Sequence, residues 1–515
     1  MAYEAGCDLG YLLGYDAGSS SIKAALLQVE TGDVVAAAAS PAREFAIASP
    51  RPGWAEQDPE TWWEHLKRAT ALVRERSGAD LGDVDAVGIS YQMHGLIIVD
   101  RDLEPLRPSI IWCDSRAVPI GEEAFACLGE KACLGRLLNS PGNFTASRVK
   151  WIEDNEPGLY GRIHKMMLPG DYLAMKMTGE VVTTPSGLSE MILWDFVDEK
   201  PADMLLEYYG IRPELLPAIL PTFSLQGEIS GAAAAELGLA AGTPVSYRAG
   251  DQPNNAFSLK VLDPGDVATT AGTSGVIYGI TSRPESDAES RVNVFVHVNH
   301  GARNPRYGVL LCVNGTGILY QWLRNVLGGT GKALDYPALN ELAATAPAGS
   351  AGLAVLPYGN GAERTLGNRN IGASVHGLDL NVHTRAHLLR AAQEGIVFAL
   401  NYGLEIMRGM GMEMKTARAG RANMFLSPLF GEVFAAVTGA AVELYDTDGA
   451  QGAARGAGIG AGLYANPEEA YVGLKKLKVI EPDREAERIY GEAFLRWRGI
   501  LLDELKREGE VGDGG

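Results

Sequence analysis

The chain has 515 residues, 46% of them hydrophobic and 21% charged, with a formal net charge of −19. That length exceeds one ordinary domain and makes two domains of about 250 residues each the natural expectation. The acidic balance argues against a nucleic-acid binder, which needs a basic face to displace counterions, but not against a nucleotide binder, where backbone N–H groups and Mg²⁺ meet the phosphates.

The opening MAYEAGCDLG carries Glu4 and Asp8 and no basic stretch, so no signal peptide is expected. Apolar runs at 12–15 and 22–27 flank Gly18-Ser19-Ser20-Ser21, which reads as strand, tight turn, strand. Successive N–H groups in such a turn form a concave nest for phosphate oxygens, and the hydroxyls of Ser19 and Ser20 add donors. Asp16 stands two residues before Gly18, where a carboxylate could hold Mg²⁺ or its waters. Asp58-Pro59-Glu60 is a helix start: an N-cap acid, a proline at the first position, then an acid.

Strands are expected at 86–90 and 96–100, with Gln92-Met93-His94-Gly95 between them. Polar side chains at a strand's end suit a hydroxylated ligand, and a histidine serving only its own loop is the plainer alternative. A further strand at 245–248 stops just before Gly250-Asp251. Crevices at the carboxyl ends of strands are where open α/β sheets bind ligands, although a Gly-Asp pair also occurs in ordinary turns. The domain boundary is expected between 258 and 265. Beyond it, residues 267–270 and 276–280 flank Ala271-Gly272-Thr273-Ser274-Gly275, a second glycine-hydroxyl turn between β-prone runs. The two turns form a weak internal repeat, one near the start of each half.

Gly328-Gly329-Thr330-Gly331-Lys332 resembles a phosphate-binding P-loop but lacks its first glycine (Val326) and its hydroxyl after the lysine (Ala333). Helices are expected at 385–407 and 450–464, with a strand at 441–445. Glycines 456, 458, 460 and 462 do not spell GxGxxG and suit close packing of a helix on a sheet. Tyr490, Phe494, Trp497, Leu501 and Leu505 make an apolar stripe at helical spacing, and residues 508–515 read as a disordered tail. Alternating helices and strands imply α/β sheets. The five cysteines contain no CxxC pair, which fits reduced thiols in a cytoplasm. No run approaches the roughly 18–20 apolar residues of a membrane span.

Several segments, in order, resemble the FGGY carbohydrate kinases and, within them, the xylulokinases: GYDAGSSSIKAALL, GWAEQDPETWW, ISYQMHG, IIWCDSR, MLPGDYLAMKMTGE and AGTSGV. The likeness runs from Leu13 almost to Tyr464. It implies two actin-like (ribonuclease H-like) domains with an active-site cleft between them. Residues 1–258 would bind sugar and supply the base, 259–480 would bind nucleotide, and 481–515 would form a terminal helix and tail. The resemblance makes Asp251 the catalytic base and Asp16 the carboxylate near the metal, with Mg²⁺ shared between them. It gives Met93, His94, Asp251 and Gln252 to the sugar. Gly18, Ser19 and Ser20 fall to the first phosphate loop, Gly272 and Thr273 to the second, and Gly420 and Asn423 to the adenine side.

Xylulokinases often show GGGDN around the base, where this chain has AGDQPNN. The implied activity is ATP-dependent phosphorylation of D-xylulose. Kinases of ribulose, glycerol or gluconate are the rivals within the family, and an actin-like ATP-binding protein without a sugar site is the rival outside it. The expected partners are a small sugar and ATP, with a homodimer allowed and no nucleic acid or membrane.

Overall fold

The hairpin expected at Gly18 forms between Tyr11–Ala17 and Ile22–Gln28, paired antiparallel with Ala17 opposite Ile22. The structure, a computed structural model, describes residues 10–328 and 335–512. Val34–Ser40 joins the hairpin antiparallel on one side. Val84–Tyr91 and Val245–Gly250 add parallel strands on the other. The sheet order is therefore Val245–Gly250, Val84–Tyr91, Tyr11–Ala17, Ile22–Gln28, Val34–Ser40. Its central strands are nearly all buried, as expected where helices cover both faces.

One face carries the helix Pro59–Ser77, which packs on the two hairpin-side strands. Asp58 caps it by accepting the N–H of Glu60, Pro59 occupies its first position, and Gly78 closes it at φ 66°. Trp62, Trp63, Leu66 and Val73 form its buried side.

The other face carries the helix Gly449–Gly460, which lies on Tyr11–Ala17, Val84–Tyr91 and Val245–Gly250. Missing side chains make this approach possible. A Cβ on Gly14 would fall 1.9 Å from the carbonyl oxygen of Ala450, and one on Gly88 would fall 2.0 Å from that of Ala453. From the helix side, a Cβ on Gly456 would enter the Tyr247 ring, and one on Gly460 would lie 1.9 Å from the carbonyl oxygen of Ser246. The expected close packing of these glycines on a sheet is realised. The helix ends earlier than residue 464 because Gly462, at φ 74°, turns the chain out of it.

The chain divides into two compact units. The first takes the described residues up to Lys260, with Phe295–Tyr307 and Thr447–Leu474; the second takes Val261–Val294, Gly308–Asp446 and the chain from Lys475 onward. Thr447–Leu474, which sequence order sets with 259–480, thus folds with the first unit, because its glycine-rich helix covers that unit's sheet.

The second unit is built on a seven-stranded sheet. Its order is Asn293–Val296, Tyr307–Val313, Gly275–Thr281, Asp266–Ala271, Thr416–Gly420, Ala441–Tyr445, Lys476–Ile480. Asp266–Ala271 and Gly275–Thr281 form an antiparallel hairpin, and Thr416–Gly420 and Ala441–Tyr445 follow in parallel. From Tyr307–Val313 to Ala441–Tyr445 the order repeats that of the first sheet: third strand, second, first, fourth, fifth.

The helix Arg385–Gly409 buries Leu389, Ile396, Phe398, Leu400 and Met407. The terminal helix Arg484–Gly512 buries the predicted stripe Tyr490, Phe494, Trp497, Leu501 and Leu505. It continues through residues 508–512, where sequence suggests disorder, because the anchored stripe reaches almost to that point and a helix propagates more easily than it nucleates. Residues 329–332 of the P-loop-like run, Cys7 and residues 513–515 lie outside the described residues. Among the described residues, no disulfide joins Cys113, Cys127, Cys133 or Cys312. Among the described residues, no helix is long and apolar enough to cross a membrane.

Candidate active site

Asp16 is the penultimate residue of the first strand, so its carboxylate emerges at the strand's carboxyl end. Ser90 Oγ, on the neighbouring parallel strand, donates to its Oδ1 at 3.0 Å, and Lys23 Nζ lies 3.8 Å from its Oδ2. A Cβ on Gly449 would sit 2.7 Å from the Asp16 carboxyl carbon, so the N-terminus of the helix Gly449–Gly460 rests on this acid. Burial holds the Asp16 carboxyl above the usual carboxylate range; Lys23 opposes this, Asp448 adds to it and the Ser90 hydroxyl opposes it.

Asp251 opens the helix Asp251–Ser258 directly after the strand Val245–Gly250. Burial first, and then the neighbouring charge of Asp16, push its carboxyl up to about 7; hydrogen bonds from Gln252 oppose that rise. An amide facing a carboxylate must donate through nitrogen, and Gln252 Oε1 is left buried without a hydrogen-bond partner. Asn254 Nδ2, one turn on, donates to the carbonyl of Gly449 at 2.9 Å, which ties the Asp251 helix to the helix seated on Asp16.

Met93 and His94 occupy the turn after Val84–Tyr91, at the same edge of the sheet. Met93 packs on the glycine before the base: a Cβ on Gly250 would lie 2.6 Å from Met93 Cγ. His94 is held at φ 62° by its surroundings. Its ring stands between Phe144 and Phe295, at centroid distances of 4.8 and 5.4 Å. Its carbonyl accepts from Thr145 Oγ1 at 3.1 Å and from the buried Arg148 guanidinium. Nδ1 lies 3.0 Å from the carbonyl oxygen of Glu190 and must donate to it, because a carbonyl only accepts. In the neutral ring Nε2 is then the acceptor.

Gly18 closes the first turn by donating to the carbonyl of Ser21 at 3.0 Å, while Gln57 Nε2 holds the carbonyl of Ser19 at 2.8 Å. The Ser20 side of this turn is exposed, and a Cβ on Gly18 would meet nothing nearer than 3.5 Å.

In the second unit, Gly272 and Thr273 line a cavity of about 320 Å³ together with Gly317, Tyr320, Tyr336 and Asn423. Asn423 opens the short turn Asn423–Leu426 at φ 54°. Its Nδ2 would lie 3.4 Å from a Cβ on Gly272, so these two residues, expected on the phosphate and adenine sides, adjoin each other in the wall of this cavity. Gly420, at the end of the strand Thr416–Gly420, is not among the lining residues.

Residues 11–258 match the N-terminal domain of the FGGY family of carbohydrate kinases, and residues 267–465 match its C-terminal domain. The chain belongs to this family. FGGY kinases use ATP as a substrate. The xylulose kinase of Escherichia coli (strain K12) is 30% identical over 95% of this chain and 99% of its own. The L-xylulose/3-keto-L-gulonate kinase of the same organism is 28% identical over 95% and 96%. Among solved structures, xylulose kinase from Rhodospirillum rubrum superposes with a TM-score of 0.84 at 26% identity, covering 96% of this chain and 98% of that one.

Three residues of this FGGY kinase's first unit stand beside the predicted ones without a sequence signal of their own. Glu190 is 1% exposed, and its carboxyl is raised well above the carboxylate range by burial, then by Asp251 and Asp171. A Cβ on Gly250 would come within 2.5 Å of its Oε2, so it lies under the Met93 and Asp251 backbone. Asp448 caps the helix on Asp16, accepting the N–H of Gln451 at 2.9 Å. Trp112 keeps 47% of its surface exposed while its Nε1 reaches Ser19 Oγ at 3.4 Å. The IIWCDSR segment contains Trp112, but only the fold brings it to the first turn.

Proposed function

We propose that this kinase transfers the γ-phosphoryl group of ATP to the terminal hydroxyl of D-xylulose, giving xylulose 5-phosphate and ADP. The observation that carries this reading is Asp251: a carboxylate at a strand's end, beside Met93 and Asp16, with a pKa lifted to about 7. The sugar oxygen forms a bond to phosphorus, the bond from phosphorus to the β-phosphate oxygen breaks, and Asp251 takes the hydroxyl proton. Positioned base catalysis of this kind contributes about 10²–10⁴-fold. Gln252 steadies Asp251 through its amide nitrogen, and its orphaned Oε1 suits a sugar hydroxyl. His94 Nε2 suits a second hydroxyl, and Met93 packs on the sugar's carbon chain.

The backbone N–H groups of Ser19 and Ser20, in the turn that Gly18 closes, and those of Gly272 and Thr273, are assigned to the phosphates, with Gly420 and Asn423 on the adenine side. Among the described residues, no group of three or more His, Cys, Asp or Glu is arranged to hold a metal. Mg²⁺ takes one or two carboxylates plus phosphate oxygens and keeps several waters, so Asp16 and Asp251 fit a cation that arrives with the nucleotide. When bound, Mg²⁺ offsets charge on the phosphates as the transition state forms. Asp16→Ala is expected to raise the Mg²⁺ concentration for half-maximal rate by about tenfold or more, measured by titrating Mg²⁺ at fixed ATP. An unchanged Mg²⁺ dependence would remove Asp16 from the metal site.

The test of substrate is an ADP-release assay over D-xylulose, L-xylulose, D- and L-ribulose, gluconate and glycerol. D-Xylulose is expected to give the highest kcat/KM. D-Ribulose should fall about one to two orders of magnitude lower, because a mismatched hydroxyl leaves a buried polar group unpaired at a cost of about 1–3 kcal/mol. Glycerol should be poorer still. His94→Ala should erode the discrimination between ketopentoses more than it changes ATP affinity. The relative named L-xylulose/3-keto-L-gulonate kinase makes L-xylulose the informative competitor. A panel led by L-xylulose, L-ribulose or glycerol would overturn the D-xylulose reading and leave a kinase of another sugar.

A further inference from the structure

Glu363 is 0% exposed, and the reaction above does not use it. It precedes the short turn Arg364–Leu366 in the second unit. The N–H of Asn314 donates to both its carboxylate oxygens, at 2.9 and 3.1 Å, and the N–H of Gly315 donates to it as well. Asn314 is tied three times more: its Nδ2 donates to the carbonyl of Ala362 at 2.8 Å, its Oδ1 accepts from Cys312 Sγ at 3.7 Å, and its own carbonyl accepts from Asn360 Nδ2 at 3.2 Å. Gly315 admits no side chain, since a Cβ there would fall 1.6 Å from the carbonyl oxygen of Pro357.

Two residues on, this turn meets the cavity. The N–H of Gly317 donates to the carbonyl of Gly272 at 2.8 Å, and that of Ile318 donates to the carbonyl of Thr273 at 3.2 Å. Thr316 Oγ1 donates to the carbonyl of Val313 at 3.0 Å and would lie 2.7 Å from a Cβ on Gly275. The stretch from Gly272 to Gly275 is thus held along its length by residues 314–318, and these in turn are gripped by one carboxylate.

Burial lifts the Glu363 carboxyl to about 7, against the pull of the two N–H donors, and the hydroxyl of Tyr358 lies within its field. An acid in such a place weakens the fold relative to a well-packed neutral residue, so its stability contribution does not account for it. A carboxylate that accepts two adjacent N–H groups does fix a turn's direction.

We propose that Glu363 is a positioning residue for the nucleotide: through Asn314 and Gly315 it sets the 314–318 turn, and through Gly317 and Ile318 it holds the carbonyls of Gly272 and Thr273 and so aims the N–H groups that share their peptide planes, those of Thr273 and Ser274. The inference rests on the reading of Gly272-Thr273 as a phosphate loop. Donors preorganised for phosphate charge lose their effect when they move, and a shift of about 1 Å can cost about 10²-fold in rate.

Glu363→Gln keeps the shape but turns an amide toward two N–H donors. It is expected to raise the KM for ATP about tenfold and lower kcat, while the KM for sugar stays within about twofold. Asn314→Ala keeps the backbone N–H that Glu363 grips and removes the side-chain hydrogen bonds to Ala362 and from Cys312, so it retains the fold while loosening the same turn, and it is expected to raise the KM for ATP by about two- to fivefold; if Glu363→Gln fails to fold, an unchanged KM for ATP in Asn314→Ala overturns the role of this turn. Gly272→Val tests the underlying reading, because Gly272 lines the cavity and its new side chain would crowd a phosphate there, while a Cβ at this position meets nothing nearer than the Asn423 amide at 3.4 Å. If Gly272→Val weakens ATP binding while Glu363→Gln and Asn314→Ala leave the KM for ATP unchanged, or move both substrates' KM values alike, the positioning role is wrong. If Gly272→Val leaves ATP affinity intact, the phosphate-loop reading falls, and the inference with it.

Discussion

Asp251→Asn is expected to lower kcat by about 10²–10⁴ while ATP binding survives. The substitution keeps the size of the side chain and its place at the head of the helix Asp251–Ser258. It removes acceptance of the sugar proton, which an amide cannot supply, and that sets the size of the loss. Calorimetry with ATP should give nearly the wild-type affinity. The pH dependence separates this account from simple damage. A base works when ionised, so the wild-type rate rises with pH through the Asp251 pKa. Burial and the charge of Asp16 hold that pKa above the ordinary aspartate value, which places the limb above the usual aspartate range. The residual activity of Asp251→Asn should lack this limb. Near-normal turnover in the variant would remove Asp251 from the mechanism.

Gly14→Ala should cost the first unit more than any single surface change. The new carbon would meet the carbonyl oxygen of Ala450 at 1.9 Å and the amide nitrogen of Ala454 at 2.4 Å. Both are helix backbone, so no rotamer relieves the contact and the helix Gly449–Gly460 must shift as a body. Overpacking of this kind costs about 1–3 kcal/mol, and more where backbone must move. Thermal or denaturant unfolding should show a large loss of stability. Gly135→Ala is the contrast: nothing lies within 4 Å of its new carbon, and alanine favours the helix Glu130–Arg136. It should be neutral or slightly stabilising. Equal stabilities for the two variants would mean that the helix does not sit on the sheet as described.

The parts of this fold that were legible in the sequence are those written in local chemistry. The turns at Gly18 and Gly272 could be read because glycine and hydroxyl residues interrupt β-prone runs. Asp251 could be placed at a strand's end because it follows such a run at once, whereas its role as a base came only from the resemblance to a family. The terminal helix could be read from an apolar stripe at intervals of three and four, although that stripe did not show that the helix continues to Gly512. Glu190 and Glu363 could not be singled out. A glutamate looks alike in any sequence, and only burial, at 1% and 0% exposure, turns these two into unusual acids. Residues 447–474 show a limit of a different kind. Sequence order sets them beside 441–445, while their packing partners, Gly14, Gly88 and Tyr247, lie hundreds of positions earlier. Spacing carries no record of such a return.

That return also bears on how the molecule is made. A ribosome releases the first unit's five strands long before it releases the helix that covers one of their faces. At about 5–20 residues per second, the stretch between Lys260 and Thr447 takes roughly 10–40 s to synthesise. Throughout that interval the nascent sheet has an open side, lined by Gly14, Gly88 and the ring of Tyr247, with no covering layer. Helix-to-strand contacts of such long sequence separation form late and slowly, and exposed apolar sheet is the surface on which nascent chains stick to one another. The first sheet to be translated therefore waits for its cover through most of the second half's synthesis, and a chaperone that shields apolar surface during that wait should raise the folding yield.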